Sequence, residues 1–496
     1  MRMNLSASLV LSVALMLGRF TGLLRELELA SLFGVSRTAD LAILLLTLPD
    51  ILVNLLVAGG ISASLVPRFS TLVPAQAIVL FRQATVGVLV LFGVAGLVLV
   101  AWPQGFFYLI APGIPAPFGP GEIMLVAVGL AIPLTGAAGI SGAYLNANQR
   151  FMAAGSGTLF FNLIVLCALV FARGSAAPLL ILAWGVLGGA VLRWAIQLVV
   201  LPRMAWFEKS VGLLIDKTLI KSFAIASTGS VLLLLAPLFV RSIASTIGSG
   251  AIASFNYAQK LIELPLTILI TAIGTVALSK LSLLHAKNKV EEARDVVVRD
   301  TQYAMLVSGV LLLLGVWFSE AVVTVIFGRG KMDAAAIVRI SDLTRIAFFG
   351  LPFAALSTMA AAKLNASHRV GLVLKSNFRA LLLLPLLILP GLIGRSEQLL
   401  MLAVVGFQAI ASLLLARAAR LDLMGSGAVF CAATWPYFLA TLGIALTAIL
   451  VDVQIQTSNS WLKLALAGAS FGLAMIFPIK QFLKSSVKPN LTSLPL

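Results

Sequence analysis

Three basic residues, Arg19, Arg25 and Lys260, lie in stretches of the sequence that are otherwise largely apolar. A charge at the centre of a bilayer costs about 2.5–3.5 kcal/mol even on lenient insertion scales, so such residues usually face a wet, protein-lined interior. Cations in such a cavity attract an anion, and the planar donor fork of arginine suits phosphate. We therefore expect these side chains to bind an anionic ligand. An alternative role for Arg25 is to anchor the outer end of its helix at the membrane interface.

Three carboxylates accompany these cations. Asp40 begins the second apolar stretch, and Asp50 follows Pro49 near the middle of it. Either can neutralise a cation, and Asp50 can also accept a proton or a cation. Lys260 and Glu263 are three residues apart, so they share a helix face and can pair. We expect charge pairing or gating by Asp40, Asp50 and Glu263. The alternative for Lys260 and Glu263 is a purely structural ion pair that packs two helices.

Further polar residues in the same stretches are Asn54, Asn256 and Gln259, which are additional candidates to line the cavity. The sequence has no Gly-rich phosphate loop, no H-E-x-x-H motif and no Ser/His/Asp arrangement, so we expect no enzymatic activity. It holds only two His and two Cys, and both cysteines lie in apolar stretches. We therefore expect no metal, no cofactor and no disulfide.

The elements that must position these residues are membrane helices. Of the 496 residues, 60% are hydrophobic and 11% are charged, and the mean hydropathy is +1.08. Soluble domains are about 45–50% apolar and about 25% charged. The net charge of +17 is scattered between the apolar stretches, where cations act as topology signals, rather than gathered in one patch for nucleic acid. The composition predicts an integral membrane protein that binds no nucleic acid.

Mainly apolar stretches of about 20 residues, the length that a helix needs to cross a bilayer, occur about fourteen times. They lie near 5–25, 40–60, 81–101, 122–146, 152–172, 177–201, 222–246, 251–277, 302–327, 344–364, 371–392, 398–418, 430–451 and 461–482. Because these runs are continuous rather than alternating, they predict helices and not strands. No clear small-x-small cleavage site follows the first run, so we expect it to be an uncleaved membrane helix.

The distribution of Lys and Arg predicts the topology. With a cytoplasmic N-terminus, the inner connections carry about twice as many cations as the outer ones, as the positive-inside rule requires. The outer loop 102–121 carries none. The pattern favours an even number of helices and places both termini in the cytoplasm. The charged segment 285–300 is expected to be a solvated helix on the inner side.

The connections also predict how the chain is divided. One connection mixes apolar and charged residues in the manner of a helix lying on the inner membrane surface, and it separates two six-helix halves. Pro49 in the second span and Pro265 in the eighth occupy similar places, and broken helices at matching places in two repeats commonly mark the central site of a transporter. We predict a first lobe over 1–201, a linker over 202–221 and a second lobe over 222–420. The last two helices and the C-terminal tail cover 421–496.

Six segments of the sequence together resemble the MurJ (MviN) lipid II flippases, although each alone would be a weak signal. They occur in the order in which the family has them. The segments are residues 18–26 (GRFTGLLRE), 32–40 (LFGVSRTAD), 48–67, 142–151 (GAYLNANQRF), 257–265 (YAQKLIELP) and 326–332 (IFGRGKM).

The resemblance implies the multidrug/oligosaccharidyl-lipid/polysaccharide exporter fold, an all-α membrane protein with two six-helix lobes around a central cavity and two C-terminal helices. It implies outward movement of a lipid-linked diphosphate sugar for peptidoglycan synthesis, across the bacterial inner membrane and by alternating access. By position, Arg19, Arg25, Asp40 and Lys260 match charges of the family's cavity, and Lys260 stands where the family usually has Arg. The last two spans match those that form a groove for the polyprenyl tail.

The sequence departs from the family pattern in the second span. After its Leu-Pro pair the family usually has Asn, then an Arg pair, then Ala-Glu-Gly, whereas this chain has Asp50, Val53, Asn54 and Ala58 at the matching places. One or two cations and one carboxylate of the cavity are therefore missing, and Gln259 replaces a usual Asp. With fewer cations, we expect the cavity to hold a diphosphate less strongly or to hold a different headgroup.

The leading hypothesis is a flippase for an undecaprenyl-diphosphate-linked sugar, lipid II first. Arg19, Arg25 and Lys260 would engage the diphosphate, while Asp40 and Glu263 hold these cations and release them at the gate. The membrane potential or a coupling ion would drive the movement. The alternatives are a flippase for a lipid-linked exopolysaccharide or O-antigen precursor, a cation-coupled drug antiporter of the same fold, and a membrane scaffold that transports nothing.

Overall fold

The chain is described by a computed structural model whose regular secondary structure is entirely helical over the described residues. This confirms the predicted all-α class. In several helical segments, such as 5–16 and 50–56, only the backbone is described. The described residues are 5–56, 61–117, 121–201, 212, 214–421, 435–455 and 459–486.

The first of two compact units comprises Met1–Ala253 and Arg329–Met332. Its helices are α1 (Leu5–Phe33), α2 (Arg37–Leu56), α3 (Ser62–Thr71), α4 (Pro74–Ala101), α5 (Pro103–Ile110), α6 (Glu122–Ala147), α7 (Phe151–Phe171), α8 (Pro178–Val200), α9 (Lys217–Ile247) and the first residues of α10 (Ala251–Pro265).

Small residues and aromatic rings set the packing of this first unit. A side chain at Gly96 of α4 would clash with the carbonyl oxygen of Gly129 in α6, so the two backbones approach closely. Nearer the other end of α6, Tyr144 packs against Phe69 of α3 and Phe81 of α4, with ring centroids 5.3 and 5.2 Å away. Ring packing thus joins α6 to α3 and α4, and the close backbone approach at Gly96 joins α4 to α6.

The second unit comprises Ser254–Gly328 and Asp333–Leu496. After Pro265 the chain forms a π-helical segment, Leu266–Ile270, because proline lacks an N–H and its ring clashes with the preceding turn. The helices that follow are α11 (Thr271–Ala286), α12 (Val290–Trp317), α13 (Ser319–Phe327), α14 (Ala334–Phe348), α15 (Gly350–Ala366), α16 (Val370–Ile393), α17 (Glu397–Ala418), α18 (Trp435–Ile455) and α19 (Ser460–Ser486).

Polar contacts join several helices of this second unit. Arg339 of α14 forms an ion pair with Glu397 at the start of α17. Asp452 of α18 is buried; it accepts a hydrogen bond from Trp317 Nε1 of α12 at 3.0 Å, and Lys463 Nζ of α19 lies 3.6 Å away. The last two helices are therefore attached to the rest of the unit by a charged group as well as by apolar packing.

Helices overlap all fourteen predicted spans, and nine helices of the described residues are long and apolar enough to cross a membrane. The chain is thus a multi-pass membrane protein, while the count of fourteen stays a prediction. The division into lobes and linker also stays a prediction. Residues 202–211 and 213 of the predicted linker lie outside the described residues, and its last residues form the first turn of α9.

Three predicted segments are wrong in part. The sequence predicts the ninth span over 302–327, but α12 begins at Val290 and the helix breaks at Phe318. The predicted solvated helix 285–300 is thus in part the beginning of α12, and Asp300 within it is fully buried. A helix does not end where its hydropathy falls, because backbone hydrogen bonds continue through charged residues. The predicted loop 102–121 contains the short helix α5.

Candidate functional site

Arg25 of α1 lies in a buried polar cluster with its neighbour Glu26 and with Asn162 of α7. One terminal nitrogen of Arg25 donates to Glu26 Oε1 at 2.8 Å, and the other donates to Asn162 Oδ1 at 2.8 Å. Asn162 Nδ2 in turn donates to the carbonyl oxygen of Gly18 at 2.9 Å. Arg25 is 9% exposed and Glu26 2% exposed. The cluster therefore connects α1 to α7 through a charge that is paired and hydrogen-bonded, as a buried charge must be.

Glycines bring the backbone of α1 close enough to α7 for this cluster to form. Gly18, Gly22 and Arg25 share one face of α1, because they are spaced by four and three residues. A side chain at Gly22 would lie 3.2 Å from Asn162 Nδ2. A side chain at Gly18 would lie 3.7 Å from Thr158, one turn before Asn162. This is the small-residue packing that membrane helices use for close contact.

Arg19 lies outside this cluster. It follows Gly18 directly, so it points about 100° away from the face that packs on α7. Its side chain is exposed in the structure. Of the two predicted cations on α1, Arg19 is therefore the accessible one and Arg25 is the one with protein partners on both terminal nitrogens.

Asp40 binds the beginning of α10, which sequence reasoning did not predict. Its side chain is fully buried, Oδ2 accepts from the backbone N–H of Gly250 at 2.7 Å, and Oδ1 accepts from that of Ala253 at 2.8 Å. The first N–H groups of a helix have no partner within the helix, and the helix dipole there favours a negative charge. Asp40 thus caps a helix that lies more than two hundred residues away in the chain. Its predicted pairing with Arg19 or Arg25 stays a prediction.

Glycines in the connections before α2 and before α10 allow the chain to pack closely around this contact. Gly250 has φ +77°, and a side chain there would lie 2.5 Å from Val35 Cγ1. Gly34 has φ +61°, and a side chain there would lie 2.6 Å from the carbonyl oxygen of Lys331, whose N–H donates to Ser31 at 2.8 Å. Both glycines occupy left-handed conformations that other residues adopt at a cost. Three connections of the first unit therefore meet around Gly34 and Val35 with little room between them.

On α10, Lys260 and Glu263 form the ion pair that their spacing predicts. The distance from Lys260 Nζ to Glu263 Oε2 is 2.7 Å, and the two side chains are 33% and 58% exposed. Asn256, one turn earlier, is buried at 2% exposure, whereas Gln259 is half-buried. Tyr257 is fully buried and packs on Phe327 with ring centroids 5.1 Å apart. One face of α10 is thus fixed in the second unit, and the face with Lys260 and Glu263 is accessible.

The structure does not describe the side chains of the other residues that we single out in the second span. Asp50, Val53 and Asn54 belong to the described backbone of α2, but their side chains do not belong to the described part. Ala58 lies in the segment 57–60, outside the described residues. Their roles stay predictions.

Glu26 and Asn162 are the two cluster residues that the prediction left without a role. A signal for Asn162 is present in the sequence, because it is the one amide inside the apolar run Phe151–Phe171. Glu26 was harder to assign, since neighbours in a helix usually point in different directions. Among the residues that the structure describes, no group of three His, Cys, Asp or Glu side chains could hold a metal ion.

Comparisons with known proteins were made by sequence and by structure. The family model described as "Lipid II flippase MurJ" matches residues 29–464. A relative of 26% identity is the lipid II flippase MurJ of Burkholderia cenocepacia, aligned over 68% of this chain and 69% of that protein. The probable lipid II flippase MurJ of Rhizobium meliloti is 24% identical over 67% of this chain and 65% of that protein. The aligned parts thus span about two thirds of these relatives.

The fold is shared with solved transporters. A structure of lipid II flippase MurJ in an inward closed conformation superposes with a TM-score of 0.79 and 18% identity, covering 97% of this chain and all of that one. An inward-facing multidrug resistance MATE family transporter of the MOP superfamily gives a TM-score of 0.65 and 13% identity, covering 84% of this chain and 97% of that one. At these identities the structures show the fold alone. With a family model that matches most of its length, the chain belongs to the lipid II flippase MurJ family.

Proposed function

We propose that this chain moves lipid II, a lipid-linked diphosphate sugar, from the inner to the outer leaflet of the bacterial cytoplasmic membrane by alternating access. The observation that carries the proposal is the family match over residues 29–464. The names of the curated relatives agree with it. No covalent bond is made or broken in such a step, so the protein is a transporter and not an enzyme. Both termini lie in the cytoplasm, as the distribution of cations predicts.

Lys260 and Arg19 are the cations that we propose to meet the diphosphate first. Arg19 is exposed, and among the side chains that the structure describes Lys260 is paired only with the largely exposed Glu263. Exposed ion pairs contribute about 0–1 kcal/mol, so a diphosphate can replace Glu263 as the partner of Lys260 at little cost. Arg25 binds the diphosphate only after its buried ion pair with Glu26 has opened, and opening this pair costs more free energy than opening the exposed pair of Lys260.

Asp40 is proposed to act as a gate through the helix that it caps. In this structure the connection around Gly34 is docked on the first turn of α10, and the carboxylate of Asp40 holds it there. Release of the two amides would free the start of the helix that carries Lys260. The other predicted polar residues, which we propose to line the route of the headgroup, are Asp50, Asn54, Asn256 and Gln259.

The proposal is tested by complementation of a bacterial strain depleted of its own lipid II flippase. We expect the wild-type chain to restore growth, and Lys260→Ala and Arg19→Ala to abolish it, because each removes a diphosphate ligand. Lys289→Ala is a matched control. Lys289 and Glu292 form an ion pair of the same spacing and the same 2.7 Å distance, but at the beginning of α12.

The growth results distinguish an error in the proposed function from an error in the proposed binding residues. If the wild-type chain is inserted in the membrane and fails to restore growth, the proposed function is wrong. If it restores growth and both variants do so equally well, the function stands and the cation assignment is wrong. A flipping assay in cells that compares lipid II with an exopolysaccharide precursor then identifies the headgroup, and preference for the second would contradict the proposal.

A further inference from the structure

A cavity of about 560 Å³ lies between α16 and α17, within the second unit. Five basic side chains line it and no carboxylate is among its lining residues. Arg369, Lys375 and Arg379 come from the α16 side, and Arg417 and Arg420 come from the end of α17. Among the described residues none of the five forms an ion pair, and all are exposed. Five like charges around one cavity repel one another unless an anion is bound between them.

The cations are arranged along one face of α16. Residues 369, 372, 375, 376 and 379 follow one another at helical spacing, and they cover a stripe about 120° wide at 100° per residue. Arg379 is nine residues beyond Val370, so its Cα lies about 13 Å along the helix from the first turn. The basic lining therefore extends from the connection into the helix bundle.

The position of these cations differs from that of cations that only set the membrane topology. Cations that only set orientation act from the connections and from the ends of spans. Lys375 and Arg379 lie within α16, where a basic side chain is costly unless it meets an anion or reaches water. Basic pockets between membrane helices are the places where phosphorylated lipid headgroups bind.

The rest of the lining suits a lipid rather than a small soluble ion. Leu372, Leu414 and Ala418 add an apolar wall next to the cations, and Ser376, which is 5% exposed, adds a hydroxyl group. A headgroup phosphate can bind the cations while the first carbons of its chains contact the leucines. We propose that this cavity binds the headgroup of an anionic phospholipid, at a site separate from the route of the transported substrate.

The test uses the full-length chain purified in an uncharged detergent. A fluorescent phosphatidylglycerol analogue is titrated into it, with a phosphatidylcholine analogue measured in parallel. Lys375→Ala/Arg379→Ala removes two lining cations, each contributing about 1 kcal/mol, so we expect the Kd for phosphatidylglycerol to rise about thirtyfold. The weaker binding of phosphatidylcholine should not change. Lys287→Ala/Lys289→Ala, which removes two exposed cations from the α11–α12 connection, is the matched control and should bind as the wild type does.

A second variant separates charge from folding. Lys375→Gln/Arg379→Gln keeps long polar side chains, and it should lose phosphatidylglycerol binding to the same extent while keeping the thermal unfolding midpoint of the wild type. Wild-type affinity in this variant would overturn the proposal. Inorganic pyrophosphate is added as a competitor in a further arm. If it binds as tightly as the lipid analogue and displaces it, the cavity serves a soluble anion and the lipid assignment is wrong.

Discussion

Replacement of Asp40 by alanine is the strongest test of the helix cap. The substitution leaves the N–H groups of Gly250 and Ala253 without their acceptor, and the side chain that it removes is fully buried. A buried donor without a partner costs about 1–3 kcal/mol, so two of them cost about 2–6 kcal/mol. An ordinary cap that is lost from an exposed helix end costs about 0.5–2 kcal/mol. We therefore expect Asp40→Ala to destabilise the protein by more than any single exposed cap.

The chain contains a matched control for this experiment. Asp333 caps α14 by accepting one N–H, that of Ala336 at 2.7 Å, and it is exposed. Thermal unfolding of both purified variants in detergent compares the two caps directly. Asp40→Asn adds a graded step, because the amide keeps one acceptor oxygen of the same size but loses the charge that interacts with the helix dipole.

Hydrogen exchange locates the effect within the molecule. In Asp40→Ala, the amides at the start of α10 should exchange much faster than in the wild type, whereas those around Asp333 should not change. In Asp333→Ala, the opposite holds. Two results together would contradict the proposed gate. The first is that Asp40→Ala lowers the unfolding free energy no more than Asp333→Ala does, and the second is that the amides of Gly250 and Ala253 exchange as in the wild type.

Two further substitutions test the packing around and beyond the cap. Gly34→Ala should cost at least about 1–2 kcal/mol of unfolding free energy, because Gly34 has φ +61° and a Cβ there would meet a backbone carbonyl oxygen at 2.6 Å; unchanged thermal unfolding would contradict this. Asp452→Ala should weaken the attachment of α18 by about 1–3 kcal/mol, since it removes the acceptor of Trp317 Nε1. Asp452→Asn keeps an acceptor, so equal unfolding midpoints in the two Asp452 variants would rule out the hydrogen bond as the cause.

The fold was largely predictable, because hydropathy alone marks where apolar helices must be. Its finer breaks were not. The predicted span 302–327 begins too late, since the helix through Asp300 gains backbone hydrogen bonds and hides that carboxylate from water. The pair Lys260–Glu263 was predictable because the helix itself sets the spacing. Contacts that depend on local geometry can be derived from sequence, and contacts that depend on packing cannot.

Asp40 illustrates the second kind. Its partners are two backbone amides, and backbone amides carry no signature in the sequence. The sequence instead predicts pairing with nearby arginines, which is the usual expectation for a carboxylate in an apolar stretch. Arg25 shows the same limit, because its partner Glu26 is adjacent in sequence and Asn162 lies on another helix. In both cases tertiary packing sets the partners that the structure shows, and the predicted roles of Asp40 and Arg25 stay predictions.

The ion pairs Arg25–Glu26 and Lys260–Glu263 differ in exposure, and this difference determines which variant can test the proposed function. The pair Arg25–Glu26 is almost fully buried, and breaking a buried pair by removing one partner costs about 3–5 kcal/mol. An Arg25 variant that fails to restore growth can therefore have failed to fold. The side chains of Lys260 and Glu263 are 33% and 58% exposed, so the loss of this pair should change the unfolding free energy by less than about 1 kcal/mol. Lost growth of Lys260→Ala, with an unfolding midpoint like that of the wild type, consequently measures the contribution of the cation to transport and not to stability.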